Sequence, residues 1–321
     1  MRAVTATAFG DPSVLTMAEL ATPEPGRGEV LVRVAGAGVG PWDTKARRGA
    51  FGTRKFPYVP GAEVSGIVAA LGEGVGGFQI GDAVFGSQPQ PGGYAEQAVL
   101  QVARMAAAPA TLDLVDAAAV PIGAGTALEG LDDHLRLQPG ERLLVAGAAG
   151  GVGSFVVQLA KARGASVVAT ASPANNAYLR DIGADEVLDY HGDWVSAAAG
   201  VDAAYDCVGG TTWEGCVAAL RDGGRAVSIA AFGSPVTRSG VELSVFSARL
   251  DGAALAEVAA LIDAGNVRVE IAARLPIEDA ARAHELVETG HTRGKIVLVP
   301  TGRSGEADAP PTALSASAPA G

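Results

Sequence analysis

From Arg142 to Thr170 the chain passes through two hydrophobic rhythms in succession. Leu143, Leu144, Val145 and Ala146 form a short continuous apolar run, the pattern of a strand covered on both faces of a parallel sheet. Beyond a glycine-rich turn, Val152, Phe155, Val156, Leu159 and Ala160 recur on one face of a helix, and Gly164 stands where a helix stop belongs. Ser166 to Thr170 reads as a second strand. The result is a βαβ unit whose helix N-terminus aims free backbone N–H groups at an anion.

The rhythm differs on either side of this unit. Residues 1 to about 120 hold short runs such as Glu29 to Val34, Val64 to Leu71 and Tyr94 to Val102, separated by clusters of Pro and Gly that include Pro89 to Gly93. This predicts an irregular, mostly β domain, with Val39–Gly49 and Pro60–Gly66 beside a cleft. Leu114 to Leu131 is helical in tendency but interrupted by Pro121, Gly123 and Gly125, which predicts a helix start near a ligand. Downstream, helices at Ala177–Ile182 and Trp213–Leu220 alternate with strands at Glu186–Leu188, Val201–Tyr205 and Arg225–Ile229, as in a doubly wound parallel sheet. Residues from Ala230 to about Leu250 read as loop. Helices at Ala253–Ala264 and Ala280–Glu288 and strands at Val267–Ala272 and Lys295–Val299 follow. Thr301 to Gly321, rich in Ala, Pro and Ser, reads as a flexible tail.

Composition narrows the classes of partner. A net charge of −11 over 321 residues argues against a nucleic-acid or anionic-membrane surface, because both need concentrated positive charge. No run approaches a membrane span, and MRAVTATAFGDPS has no signal-peptide apolar core. The two cysteines, Cys207 and Cys216, should stay reduced, which fits a cytoplasmic protein.

The turn itself reads AGAAGGVG, with Ala148 at the first position of a G-x-G-x-x-G pattern and Gly150 and Gly153 at the others. Placed between a strand and a helix, it predicts a dinucleotide pyrophosphate site. About 20 residues on, where an acidic side chain would hold the ribose 2′-OH of NAD, stand Thr170, Ala171 and Ser172. No carboxylate there repels a 2′-phosphate, and Ser172 and Tyr190 are candidate donors to it, so NADPH is the expected cofactor.

The segments GDPSVL, DTKARRG, PGAEVSGIV, GVGGFQIGDAVFG, GGYAE, AGAAGGVG, LRDIGADEVLDY, YDCVGG and GHTRGKIVLVP occur in this order. With them the chain resembles the medium-chain dehydrogenase/reductase superfamily, in its zinc-independent, zeta-crystallin-like NADPH:quinone oxidoreductase branch. The resemblance implies an α/β protein with a GroES-like, mostly β domain of residues 1–120 plus 266–300, around a Rossmann NADPH-binding domain of residues 121–265. A homodimer joined at sheet edges is also implied. Gly150, Gly151, Val152 and Gly153 would surround the pyrophosphate and Thr126 would lie near the nicotinamide. Ser172 and Tyr190 match positions at the 2′-phosphate, while the lysine that often accompanies them is Asn175. Cys207 and Val208 would flank the ribose, and Lys295 would approach the cofactor or lie exposed.

Where zinc-dependent relatives have their Cys, His and Cys ligands, this chain has Pro41, Ala62 and about Ile122, and His134, His191, His284 and His291 lack ligand spacing. No zinc is expected. A conjugated acceptor, most simply a quinone, then fits best, because hydride delivery to it gives a delocalised anion that needs little electrophilic help. Pro41, Trp42, Phe56, Phe232 and Phe246 are the candidate acceptor pocket, and Lys45 or Tyr94 the candidate proton donor. Asp43 and Arg47, four apart on a helical turn, should pair. The alternatives are a 2-enoyl thioester or alkenal reductase, and an NADPH-binding sensor or structural protein with little turnover.

Overall fold

The computed structural model describes residues 1–88 and 92–301. The tail after Thr301 and the centre of the Pro89–Gly93 cluster lie outside these residues. In chain order, β1 (Arg2–Ala6) and β2 (Leu15–Glu19) form an antiparallel hairpin. Then come β3 (Glu29–Val39), α1 (Pro41–Arg47), β4 (Glu63–Leu71), β5 (Ala83–Ser87), β6 (Gln97–Gln101), β7 (Met105–Ala107), α2 (Leu114–Ala117) and α3 (Pro121–Glu129). The central part contains β8 (Arg142–Ala146), α4 (Gly153–Ala162), β9 (Ser166–Ala171), α5 (Asn176–Asp181), β10 (Glu186–Asp189) and α6 (Trp194–Ala197). It continues through β11 (Val201–Asp206), α7 (Thr211–Ala219), β12 (Leu220–Ser228) and β13 (Glu242–Val245). The chain closes with α8 (Gly252–Asp263), β14 (Ile271–Pro276), α9 (Ala280–Glu288) and β15 (Lys295–Val299).

Two sheets organise these elements. The six central strands pair in parallel in the order β10-β9-β8-β11-β12-β13, so the chain winds outward both ways from β8 and β11. Every residue from Leu143 to Ala146 is fully buried, as a strand with helices on both faces requires. Above its C-terminal end, where the winding reverses, a crevice for ligands is built into the topology.

The second sheet runs β14-β15-β3-β4-β5-β7, with β6 also on β3. Its β15 lies antiparallel to β3 and parallel to β14, so the C-terminal segment completes a sheet begun near the N-terminus. The joining point touches the other unit directly, since Gly294 bridges Gly150 and donates its N–H to the Ala149 carbonyl at 2.9 Å.

The helical turn expected around Asp43 and Arg47 is α1, opened by Pro41 at a position where its missing N–H costs nothing. Elsewhere the observed elements depart from the pattern reading. The stretch after Ala230, read wholly as loop, contains β13, a four-residue edge strand too short to show alternation. The strand expected at Val267–Ala272 begins only at Ile271. Upstream of it the side chain of Gln158 on α4 accepts from Arg268 N at 2.7 Å and donates to Arg268 O at 3.0 Å, which satisfies that backbone without a neighbouring strand.

Candidate active site

The glycine-rich turn leaves β8 at Gly147, whose φ of 74° suits a residue without a side chain. A Cβ on Gly153 would come within 2.3 Å of the Gly147 carbonyl, and one on Gly151 within 2.7 Å of the Lys295 side chain. The turn therefore closes on itself and admits only backbone. Gly150 N and Ser154 N bond to carbonyls inside the turn, while the amides of Gly151, Val152 and Gly153 form no such bond among the described residues and stand at the start of α4. That arrangement receives an anion.

Above the turn opens a cleft of about 920 Å³, within the size range of cofactor sites. It is lined by Gly150, Gly151, Val152 and Gly153, by Ser172, Asn175 and Tyr190, and by Cys207 and Val208, so the structure brings these nine expected positions together. Asn175 Nδ2 donates to Ser172 Oγ at 3.3 Å. The Cys207–Gly210 corner is shaped by buried Asp206, whose carboxylate accepts from Val208 N, Gly209 N and Ser228 Oγ at 2.9, 3.0 and 2.6 Å. The opposite wall comes from Val39, Pro41 and Ile296 of the second unit and from the Gly290–Gly294 segment. A dinucleotide fits this cradle: backbone amides for the pyrophosphate, hydroxyls for the ribose end, and an apolar wall.

Behind the apolar wall lies a buried polar cluster. Lys295 is 8 % exposed in its side chain and Glu63 1 %, and the two form an ion pair. Glu63 also accepts from Ile122 N at 2.9 Å, tying the start of α3 to β4. Asp43 accepts from Gly40 N at 3.0 Å. Burial pushes its carboxyl up to about 7, the nearby Glu63 carboxylate adding to the effect and the Gly40 N–H and Lys295 opposing it. Lys295 thus neither lines the cleft nor lies exposed; its stem supports the turn from below.

Several candidates sit elsewhere. Thr126 is buried within α3, its carbonyl accepting from Tyr205 Oη at 2.8 Å, because the helix starts at Pro121 and has turned into the core by that residue. Phe246 is buried and stacks on His134 with ring centroids 4.2 Å apart, so it packs inside the parallel-sheet unit. Phe232 is 61 % exposed and lies outside the cleft lining. Trp42, next to cleft-lining Pro41, turns its ring onto Phe51 at 4.0 Å, and Phe56 packs edge-on against Phe9; neither reaches the cleft lining.

Of the candidate donors, Lys45 is exposed on α1 and does not line the cleft. Tyr94 is fully buried, its Oη 3.2 Å from His284 Nε2. Burial holds this phenol well above its ordinary range, with Asp43 and Glu63 adding to the shift. Burial, helped by the Arg47 charge, lowers His284 to about 3, so this pair is a neutral contact inside the β unit. Arg47, expected to pair with Asp43, is buried against Glu288 of α9 instead. Asp43 points back to cap its own helix.

The sequence reading missed the Gly290–Gly294 wall, above all Arg293. Its signal was the GHTRGKIVLVP segment, which supplies Gly290–Gly294 to the cleft lining.

Residues 26–110 match the family described as Alcohol dehydrogenase GroES-like domain, and residues 182–298 the family described as Zinc-binding dehydrogenase. Quinone oxidoreductase of Rattus norvegicus is 32 % identical over 321 residues, covering 93 % of this chain and 98 % of that protein. The chloroplastic NADPH-dependent alkenal/one oxidoreductase of Arabidopsis thaliana is 32 % identical, covering 91 % and 78 %. A mycobacterial protein solved in complex with NADPH superposes with a TM-score of 0.84 at 32 % identity, covering 94 % of this chain and all of that one. The chain belongs to the medium-chain dehydrogenase/reductase superfamily, among the oxidoreductases of its quinone oxidoreductase branch. Zinc, which one family description names, does not fit the donor set: Pro41, Ala62 and Ile122 offer no ligating side chain. Among the described residues no group of three His, Cys, Asp or Glu side chains converges on a metal site.

Proposed function

We propose that the protein reduces a quinone with NADPH, and that the cleft over the Gly147–Gly153 turn is where it does so. The observation that carries the cofactor half of this reading is the ribose end of the cleft, while the acceptor half rests on the quinone oxidoreductase relatives. Ser172, Asn175 and Tyr190 line that end and no carboxylate does, which suits a phosphorylated ribose and disfavours the 2′-OH recognition that an acidic residue provides. The rat and mycobacterial relatives support both halves of the proposal.

NADPH, when bound, supplies the hydride. The chain binds and orients it: amides of Gly151, Val152 and Gly153 hold the pyrophosphate, and hydroxyls of Ser172 and Tyr190 the 2′-phosphate. Val39, Pro41 and Ile296 form a dry wall that excludes water and leaves orientation as the main contribution. That wall offers no acidic proton, and Lys45 and Tyr94 lie outside the cleft lining, so the reduced acceptor takes its proton from water at the open side of the cleft, away from the dry wall. A quinone tolerates this because its charge is already delocalised.

A second reading, reduction of an α,β-unsaturated ketone or aldehyde, is favoured by the Arabidopsis relative's activity. We further propose a homodimer joined through the open edge of β13, and a cytoplasmic location, which the two free cysteines suit. No described helix is long and apolar enough to cross a membrane. Steady-state oxidation of NADPH across a panel of quinones, enals and enoyl thioesters tests the function. Turnover should be fastest with quinones; turnover confined to enals or thioesters would reassign the acceptor. Tight NADPH binding without turnover would indicate a sensor or structural protein.

A further inference from the structure

We infer that Arg293 is the cofactor-specificity residue of this chain, supplying from the returning C-terminal wall the positive charge that Asn175 does not. The inference rests on the proposed NADPH site and assigns a residue to its ribose end. Among the residues lining the cleft there is no Lys, Asp or Glu, and Arg293 is the one arginine. A ligand bearing a pyrophosphate and a further phosphate would meet a single permanent cation there. The other basic side chain, His291, is turned onto its own backbone, with Nδ1 2.6 Å from the Thr289 carbonyl.

Arg293 is held in place on three sides. The next residue, Gly294, is fixed to the turn by its bond to Ala149, and its φ of 71° brings the chain so close to Glu270 that a Cβ would lie 2.2 Å from the Glu270 carbonyl. Arg293 Nε donates to Glu270 Oε1 at 2.8 Å. The guanidinium sits over the Tyr178 ring, 5.2 Å from its centroid, and Tyr178 belongs to α5, the helix entered directly from the Ser172–Asn175 turn. Arg293 therefore lies beside the helix that follows the Ser172–Asn175 turn and lines the same cleft as Ser172, Asn175 and Tyr190. Its Nη1 and Nη2 have no hydrogen bond to protein among the described residues, which leaves the paired donors that match a phosphate bidentately.

Binding of NADPH and NADH, and of adenosine 2′,5′-bisphosphate against AMP, should be titrated for the wild type, Arg293→Gln and Arg293→Lys. Arg293→Gln should weaken NADPH and the bisphosphate roughly 10- to 100-fold, the range for a hydrogen bond to a charged group. NADH and AMP should stay within about twofold of the wild type. Arg293→Lys should fall between, keeping the charge and losing the fork. Equal losses for NADPH and NADH would place Arg293 on the pyrophosphate and overturn the inference, as would an unchanged NADPH affinity. Failure of the wild type to bind either dinucleotide would instead overturn the cofactor reading, and this inference with it.

Discussion

Asp43 shows how a single residue can reverse the usual acid behaviour of a carboxylate. Its folded-state pKa of about 7 lies above the unfolded value, so the folded state binds the extra proton. The stabilisation this gives is complete below the unfolded value near 3.8 and is lost as pH rises through about 7. Asp43→Asn, which keeps an acceptor for Gly40 N, should remove that loss. Thermal denaturation at pH 5 and pH 8 should show the variant gaining on the wild type at the higher pH; a constant offset would refute the assignment. The same scale marks the limit of sequence reading. That Gly150, Gly153, Ser172 and Tyr190 line one cleft was legible, because the turn, the end of β9 and the end of β10 are set by the regular alternation of strand and helix. Tyr94 was not, because its direction depends on His284, far along the chain, and Phe246 was misplaced because its partner is His134.

At the scale of elements, β15 joins two parts that the sequence separates. Its pairing with β3 places Lys295 beneath Gly151, where it meets Glu63 of β4. Removing one member of such a buried pair strands the other, at a cost of about 3–5 kcal/mol. Lys295→Met should lower the chemical-denaturation midpoint accordingly, and adding Glu63→Gln should recover much of the loss. A double variant no better than the single one would mean that packing of the lysine stem dominates. Helices and buried strands were readable because periodicity reports them directly. The edges were not: β13 is brief and half exposed, and the approach to β14 is held by a glutamine from α4.

At the scale of the whole molecule two large sheets of different construction, with the small β1–β2 hairpin beside them, meet at one glycine-rich corner, and the change from irregular β texture to regular strand–helix alternation made the two kinds of sheet readable in the sequence. Quaternary structure is less visible, since it depends on which edge is left open. β13 ends the parallel sheet with Val245 partly exposed, an edge prone to pairing unless blunted. Light scattering should give twice the chain mass of 32.0 kDa. Val245→Lys should yield a monomer that still binds NADPH; an undiminished dimer would move the interface elsewhere. The bond from Gly294 to Ala149 has a consequence for C-terminal truncation. Because β15 finishes the earlier sheet while the segment before it walls the cleft, a chain truncated before residue 290 would present the Gly147–Gly153 turn without its second side and should bind NADPH far more weakly in a titration against the full chain.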